Sequence, residues 1–143
     1  MQDFTLLLQQ LKRHEGAKRF VYRDHLGYET IGVGRCLVEG VGIGLSEEEI
    51  NYLLENDVKR CYKELSSYSW FLNLDSVRQQ ALINMCFNLG LSRLLKFKNM
   101  INALSNHDYE EASKQALQSK WAQQVGNRAI EISEIIRSGN INF

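Results

Sequence analysis

Residues 14–35 read HEGAKRFVYRDHLGYETIGVGR, and the rest of the chain is organised around them. Gly16 supplies the stop for a helix that the apolar spacing upstream predicts, which leaves Glu15 in that helix's last turn. Phe20, Tyr22, Thr30, Ile31 and Val33 have strand character. The polar residues between them, with Asp24 and Gly27, read as the turn of a hairpin. Thr30 begins the return strand, and Gly32 and Gly34 let a backbone approach something closely. One carboxyl group at a helix end, a second in a polar turn and a hydroxyl on the return strand make a hydrolytic site. Two acids in different surroundings can be held in different protonation states, as acid/base hydrolysis of a sugar bond requires. The helix dipole disfavours a negative charge at Glu15, so Glu15 is the one expected to hold the proton. Each residue also has a plainer reading: Glu15 as a solvated helix end, Asp24 as a turn residue capping its own backbone.

Outward from this stretch, Phe4, Leu7, Leu8 and Leu11 recur at helical spacing over residues 4–14. CLVEGVGIGL (36–45) is a short Gly-rich connection, and a lobe this brief holds about two or three strands. Ser46 with Glu49 forms a capping box. It opens a helix to about residue 66 in which Ile50, Leu53, Leu54, Val58, Cys61 and Leu65 recur at three- and four-residue steps. Its face of Glu47, Glu48, Glu55, Lys59, Arg60 and Lys63 reads as solvated. The link Tyr68, Trp70, Phe71, Leu72 reads as core rather than as a sugar-stacking platform.

Asp75 is a candidate N-cap for a helix over 76–89 that is apolar nearly all round, predicting the centre of a bundle with Asn84 and Asn88 as buried polar groups in need of partners. Gly90 ends it. Leu94, Leu95, Phe97, Met100, Ile101 and Leu104 continue the helical pattern. Asp108 with Glu111 caps a helix carrying Ala112, Ala116 and Leu117. Gly126-Asn127 introduces a last helix with Ile130, Ile132, Ile135 and Ile136, closed by Gly139. With no proline, repeat or low-complexity linker, residues 1–143 are expected to form one domain.

The 17 basic residues balance the 17 acidic ones, a poor footprint for a nucleic-acid binder. No apolar run is long enough to span a bilayer, and Asp3 stands where a signal peptide would be basic. Cys36, Cys61 and Cys86 are an odd count at wide spacing, arguing for free thiols, two of them packed in helices, rather than a disulfide framework or zinc. His14 and His25 read as surface residues, and His107 lies in a distant turn. The Gly-x-Gly of the hairpin opens no helix, so a dinucleotide site is not expected. No metal and no cofactor is called for.

Glu15, eight residues, Asp24, five residues, Thr30, then Ile31-Gly32-Val33-Gly34 resembles the active-site signature of phage-type lysozymes, glycoside hydrolase family 24. ALINMCFNLG (81–90) resembles that family's buried central helix, and WAQQVGNRA (121–129) its C-terminal Trp…Asn-Arg-Ala segment. The resemblance implies a mostly helical α+β fold with two lobes: a small antiparallel β-lobe at about 15–45, a connecting helix at about 46–66, and a helical lobe at about 67–143 on which helix 4–14 packs, with a sugar cleft between the lobes. It implies a muramidase hydrolysing the β-1,4 bond between N-acetylmuramic acid and N-acetylglucosamine of peptidoglycan, with inversion. Glu15 would protonate the leaving oxygen, ionised Asp24 would direct a water or stabilise the developing cation, and Thr30 would hold that water. Phe87 and Arg35 carry over as substrate-binding positions. Arg35 stands where the family usually has His paired with an acidic residue of the C-terminal lobe, and Arg128 would tether its helix to an acidic neighbour.

The partner implied is bacterial peptidoglycan, met by a monomer without membrane insertion. The setting implied is phage-mediated lysis, from the host cytoplasm to the wall, or association with the virion. The rivals are a lytic transglycosylase, which uses a lone Glu, and a non-catalytic wall-binding or virion module.

Overall fold

A computed structural model describes residues 2–141. The chain divides into two compact units, Met1–Tyr52 and Leu53–Phe143.

The first unit holds helix α1 (Thr5–Glu15) and three strands, β1 (Lys18–Arg23), β2 (Glu29–Gly32) and β3 (Arg35–Cys36), in one antiparallel sheet of order β1-β2-β3. Thr30 in the central strand faces Tyr22 on one side and Cys36 on the other. The register between β1 and β2 is irregular between Lys18 and Tyr22, which bends that strand. Val33, expected in a strand, falls instead in the turn between β2 and β3, flanked by Gly32 (φ 68°) and Gly34 (φ 70°). Two left-handed positions there turn the chain more tightly than its β-branched side chain suggests. Phe4, Leu7, Leu8 and Leu11, whose spacing predicts α1, are exposed, and α1 carries no buried residue. Their periodicity sets the helix without setting its burial.

Helix α2 (Glu47–Leu65) begins in the first unit and runs into the second. The capping box closes in both directions: Glu49 N–H donates to Ser46 Oγ at 3.1 Å, and Ser46 N–H to Glu49 Oε1 at 2.9 Å.

The second unit is helical, with α3 (Ser69–Leu72), α4 (Ser76–Leu89), α5 (Leu91–Leu94), α6 (Lys98–Ser105), α7 (Tyr109–Leu117), α8 (Lys120–Val125) and α9 (Asn127–Ser138). Leu65, Phe71, Leu82, Met85, Leu94, Met100, Leu104, Ile132 and Ile136 form its dry centre. Ala112, Ser113 and Ala116 of α7 and Ala129 and Ser133 of α9 are buried small residues that let these two helices pack closely. Caps fall where the sequence places them: Asp75 accepts from Arg78 N–H, Asp108 from Glu111 N–H, and Gly139 closes α9 in the left-handed conformation.

Three expectations change here. Helix α4 is not enclosed all round: Ala81, Leu82, Met85 and Cys86 are buried, whereas Gln80, Asn84, Phe87 and Asn88 are exposed. Asn84 and Asn88 are therefore not buried polar groups, although both find partners. Among the described residues Arg128 bonds no carboxylate; its Nη2 and Nε donate to Asn84 Oδ1 at 2.7 and 3.1 Å, the amide oxygen serving where an acid was expected. Leu72, read as core with the aromatic link, is exposed at the end of the four-residue α3. Phe71 is fully buried and Tyr68 and Trp70 pack against the core, as the aromatic link predicts. All three cysteines are free, with Cys61 and Cys86 buried in helices.

Candidate active site

Glu15 is the last residue of α1, where Gly16 (φ 77°) stops the helix and returns its N–H to Lys12 O. The Glu15 side chain is exposed and lies over Gly34 in the β2–β3 turn; a β-carbon on that glycine would stand 3.1 Å from Glu15 Oε2. The bare Gly34 is thus what gives the carboxylate its place.

Asp24 opens the β1–β2 turn, and its Oδ1 accepts from Leu26 N–H and Tyr28 N–H, both at 2.9 Å. The plain turn-capping role is filled, by one oxygen; Oδ2 makes no hydrogen bond among the described residues. Thr30 is buried at 2 % exposure, and its hydroxyl donates to Tyr28 O at 2.9 Å. That bond uses the hydroxyl proton and leaves Oγ1 as an acceptor only. Tyr28 thus fixes both side chains: its N–H holds the carboxylate of Asp24 and its carbonyl orients the hydroxyl of Thr30. Sequence spacing does not reveal Tyr28's part, because its contribution is made by the backbone.

Arg35 finds partners within the first unit. Its Nη1 donates to Glu49 Oε1 at 2.8 Å and to Gly44 O at 2.9 Å. Glu49 consequently does three things, accepting from Ser46 N–H, starting α2 and neutralising Arg35. The Arg35 hydrogen bond, helped by Ser46 N–H, holds the Glu49 carboxyl down at about 2. The pair joins β3 to the start of α2 and fixes the end of the turn that carries Gly34.

In the second unit, Phe87 lines an apolar groove of about 580 Å³ with Leu54, Val58 and Ile83, while Gln80, Asn84 and Arg128 give it a polar edge. Such a mixture suits a ligand with apolar faces and hydroxyl or amide edges. Among the described residues no group of three or more His, Cys, Asp or Glu side chains is gathered to hold a metal ion, and no helix is long and apolar enough to cross a membrane.

Known proteins resemble this chain over most of its length. The family model described as phage lysozyme matches residues 12–134, which include Glu15, Asp24, Thr30, Gly34, Arg35, Phe87 and Arg128. Two proteins of Dictyostelium discoideum, named probable T4-type lysozyme 1 and 2, are similar along nearly their whole length. The first is 29 % identical over 159 residues, 92 % of this chain and 94 % of that protein. The second is 27 % identical over 162 residues, 94 % of this chain and 95 % of that protein. The pre-baseplate central spike protein Gp5 of Enterobacteria phage T4 is 30 % identical over 162 residues, and this chain spans 28 % of its length.

Proposed function

The chain belongs to the phage lysozyme family, and from that premise we propose that it cuts the β-1,4 bond between N-acetylmuramic acid and N-acetylglucosamine of peptidoglycan with Glu15 as acid and Asp24 as base. Muramidase activity, and with it the class of glycoside hydrolase, follows from the family and from the full-length likeness to two lysozymes. The observation that carries the residue assignment is the hairpin itself: Glu15 seated on Gly34, and Asp24 and Thr30 both anchored on Tyr28.

In this reading the Glu15 carboxyl donates its proton to the glycosidic oxygen as the bond breaks. Asp24 keeps Oδ1 on its own turn and offers Oδ2 to a water. Thr30 Oγ1, its proton already given to Tyr28 O, accepts one hydrogen of that water. The remaining hydrogen points to Asp24, so the water's lone pair is turned toward the anomeric carbon. Attack by a water held between the sugar and a carboxylate inverts the anomeric configuration, which calls for carboxyl groups about 6.5–9.5 Å apart. Phe87 supplies apolar surface to a sugar ring, and Arg35 acts through the turn that it braces rather than on the glycan.

The decisive experiment digests purified sacculi with the native protein and with Glu15→Gln, Asp24→Asn and Thr30→Ala. Mass spectrometry of the products should show reducing muramic ends and no anhydro-muramic ends. Glu15→Gln and Asp24→Asn should each lose at least a hundredfold in rate, and proton NMR of early products should show the α-anomer. Anhydro ends would mean a transglycosylase, and a Glu15→Gln protein as lytic as the native one would remove the assignment altogether. The likeness to a spike protein favours a particle-borne setting beside release from the host cytoplasm; immunodetection on purified particles decides between them.

A further inference from the structure

Two glutamates of the first unit stand at opposite kinds of helix end. Glu15 is the last residue of α1, where the helix dipole disfavours a negative charge, and Glu49 lies in the first turn of α2, where the dipole favours one. Arg35 follows directly on Gly34, the glycine over which the Glu15 carboxyl lies, with Oε2 3.1 Å from where a β-carbon would stand. Neighbouring α-carbons are about 3.8 Å apart, so an arginine at position 35 is long enough to reach that carboxyl. Its guanidinium goes to Glu49 instead: Nη1 donates to Glu49 Oε1 at 2.8 Å and to Gly44 O at 2.9 Å.

The acid that takes the arginine is itself fixed. Ser46 N–H holds the same Oε1 at 2.9 Å through the capping box, so Glu49 meets Arg35 without having to be ordered by it. Arg35 Nε and Nη2 make no hydrogen bond among the described residues, so the guanidinium, once released, has a full fork for another carboxylate. The other cations about the end of α1 are Lys12, Arg13 and His14 on its last turn, and Lys18 on β1, whose Cε would lie 3.6 Å from a β-carbon on Gly16. The β2–β3 turn beneath Glu15 carries no titratable side chain. Within the first unit no cation forms an ion pair with Glu15.

We infer that Glu49 is a positioning residue for the hydrolysis, holding Arg35 away from Glu15 so that the general acid faces no arginine. A guanidinium beside Glu15 would favour its ionised form, and an ionised carboxylate has no proton to give to the leaving oxygen. The fold hands its arginine to the acid at the helix start, which has to be charged, and withholds it from the acid at the helix end, which has to be neutral. The catalytic consequence rests on the reading of Glu15 as the acid; the hold of Glu49 on Arg35 does not.

The test follows sacculus hydrolysis against pH for the full chain and for Glu49→Gln, Arg35→Gln, Arg35→Gln/Glu49→Gln and Ser46→Ala. Glu49→Gln keeps an amide oxygen for Ser46 N–H, so the cap survives while the arginine is freed. It should move the alkaline limb of the rate profile lower by about one pH unit or more, a loss of about tenfold on that limb that is regained on acidification. Arg35→Gln and the double variant have no arginine to release, and their limb should stay at the native position whatever rate the loss of the brace leaves. Ser46→Ala weakens the cap and keeps the pair, so its limb should not move either. Carbon-13 NMR of the Glu15 carboxyl across the same pH range reads the effect without turnover, and its titration should fall in Glu49→Gln alone. An unmoved Glu15 titration in Glu49→Gln, or limbs that move alike in Glu49→Gln and Arg35→Gln, overturns the inference and leaves the pair a brace, with the hydrolase intact. A Glu15 titration that falls in Glu49→Gln, in a protein whose Glu15→Gln variant is as lytic as the native one, would sink the proposed acid and leave the hold of Glu49 on Arg35 standing.

Discussion

The Glu15 carboxylate rests on the α-carbon of Gly34, so close that an added β-carbon would lie 3.1 Å from Oε2 and 3.4 Å from Cδ. Gly34 also has φ 70°, which an L side chain adopts at a cost. Gly34→Ala should therefore do two separable things. The left-handed backbone should lower stability by about 1–2 kcal/mol. The methyl group should displace the Glu15 carboxyl and slow sacculus lysis about ten- to a hundredfold. Gly40→Ala is the control, with φ 83° and nothing within 4 Å of its added carbon; urea titration should show a similar loss of stability with lysis retained. Equal activity in the two variants would mean that the place of Glu15 is not set by Gly34.

The Arg35–Glu49 pair should show itself in the pH dependence of stability. Glu49 has its ordinary value near 4.5 in the unfolded chain and about 2 in the fold. A depressed carboxyl contributes stability that is fully present above about 4.5 and is lost as the pH falls through about 2. Glu49→Gln should thus lower the melting temperature at pH 7 by more than at pH 3, and the two proteins should converge near pH 2. Calorimetry across that window checks it; a difference independent of pH would assign the effect of the substitution to the helix cap alone.

Cys86 is governed by the opposite sign. Burial, with Cys61 beside it, pushes its thiol up to about 12 from an ordinary 9. The unfolded chain can ionise that thiol between those values and the folded chain cannot, so stability should be complete below pH 9 and decline toward pH 12. Cys86→Ala should flatten that decline. Because the thiolate is the reactive form, a thiol-directed disulfide reagent at pH 8 should modify half-buried Cys36 within minutes, while Cys61 and Cys86 react only on unfolding. Three thiols reacting at one rate would contradict the packing.

How much of this was legible depends on whether a feature is set locally. Caps were readable, because Ser46 with Glu49, Asp75, Asp108 and Gly139 act within about one helical turn of themselves. The hairpin was readable from its glycines and β-branched residues, apart from Val33. Burial was less so: the Phe4, Leu7, Leu8, Leu11 stripe predicts α1 by period, and period is silent on what covers a helix. Partners far apart in sequence were least legible. Arg35 meets Glu49 and Arg128 meets Asn84, and no spacing rule distinguishes an amide from a carboxylate at the end of a long arginine. Spacing likewise picks out Asp24 and Thr30 but not Tyr28, whose contribution the backbone of any residue except proline could make.

Arg78 offers the clearest test of how the helical unit is closed. Its Nε donates to Ile136 O at 2.6 Å and its Nη2 to Arg137 O at 3.1 Å, carbonyls at the end of α9 that have no helical donor of their own. Its Nη1 pairs with Asp75 at 3.0 Å, and its guanidinium carbon lies 3.6 Å from the centre of the Tyr109 ring. One side chain, 14 % exposed, thus ties the first turn of α4 to α7 and to the last turn of α9. Gly139 is bare where it must be, since a β-carbon there would meet Arg78 Nη1 at 2.9 Å. Arg78→Met keeps the length and loses the donors, and should destabilise by about 2–4 kcal/mol. Arg78→Lys should recover less than half of that, because an ammonium cannot reach both carbonyls and stack on the tyrosine together. Hydrogen exchange should report the loss first in the last turn of α9, while hydrolysis well below the melting temperature stays near native. A lysine variant as stable as the native protein would mean that charge alone, rather than the fork of donors, holds the helix end.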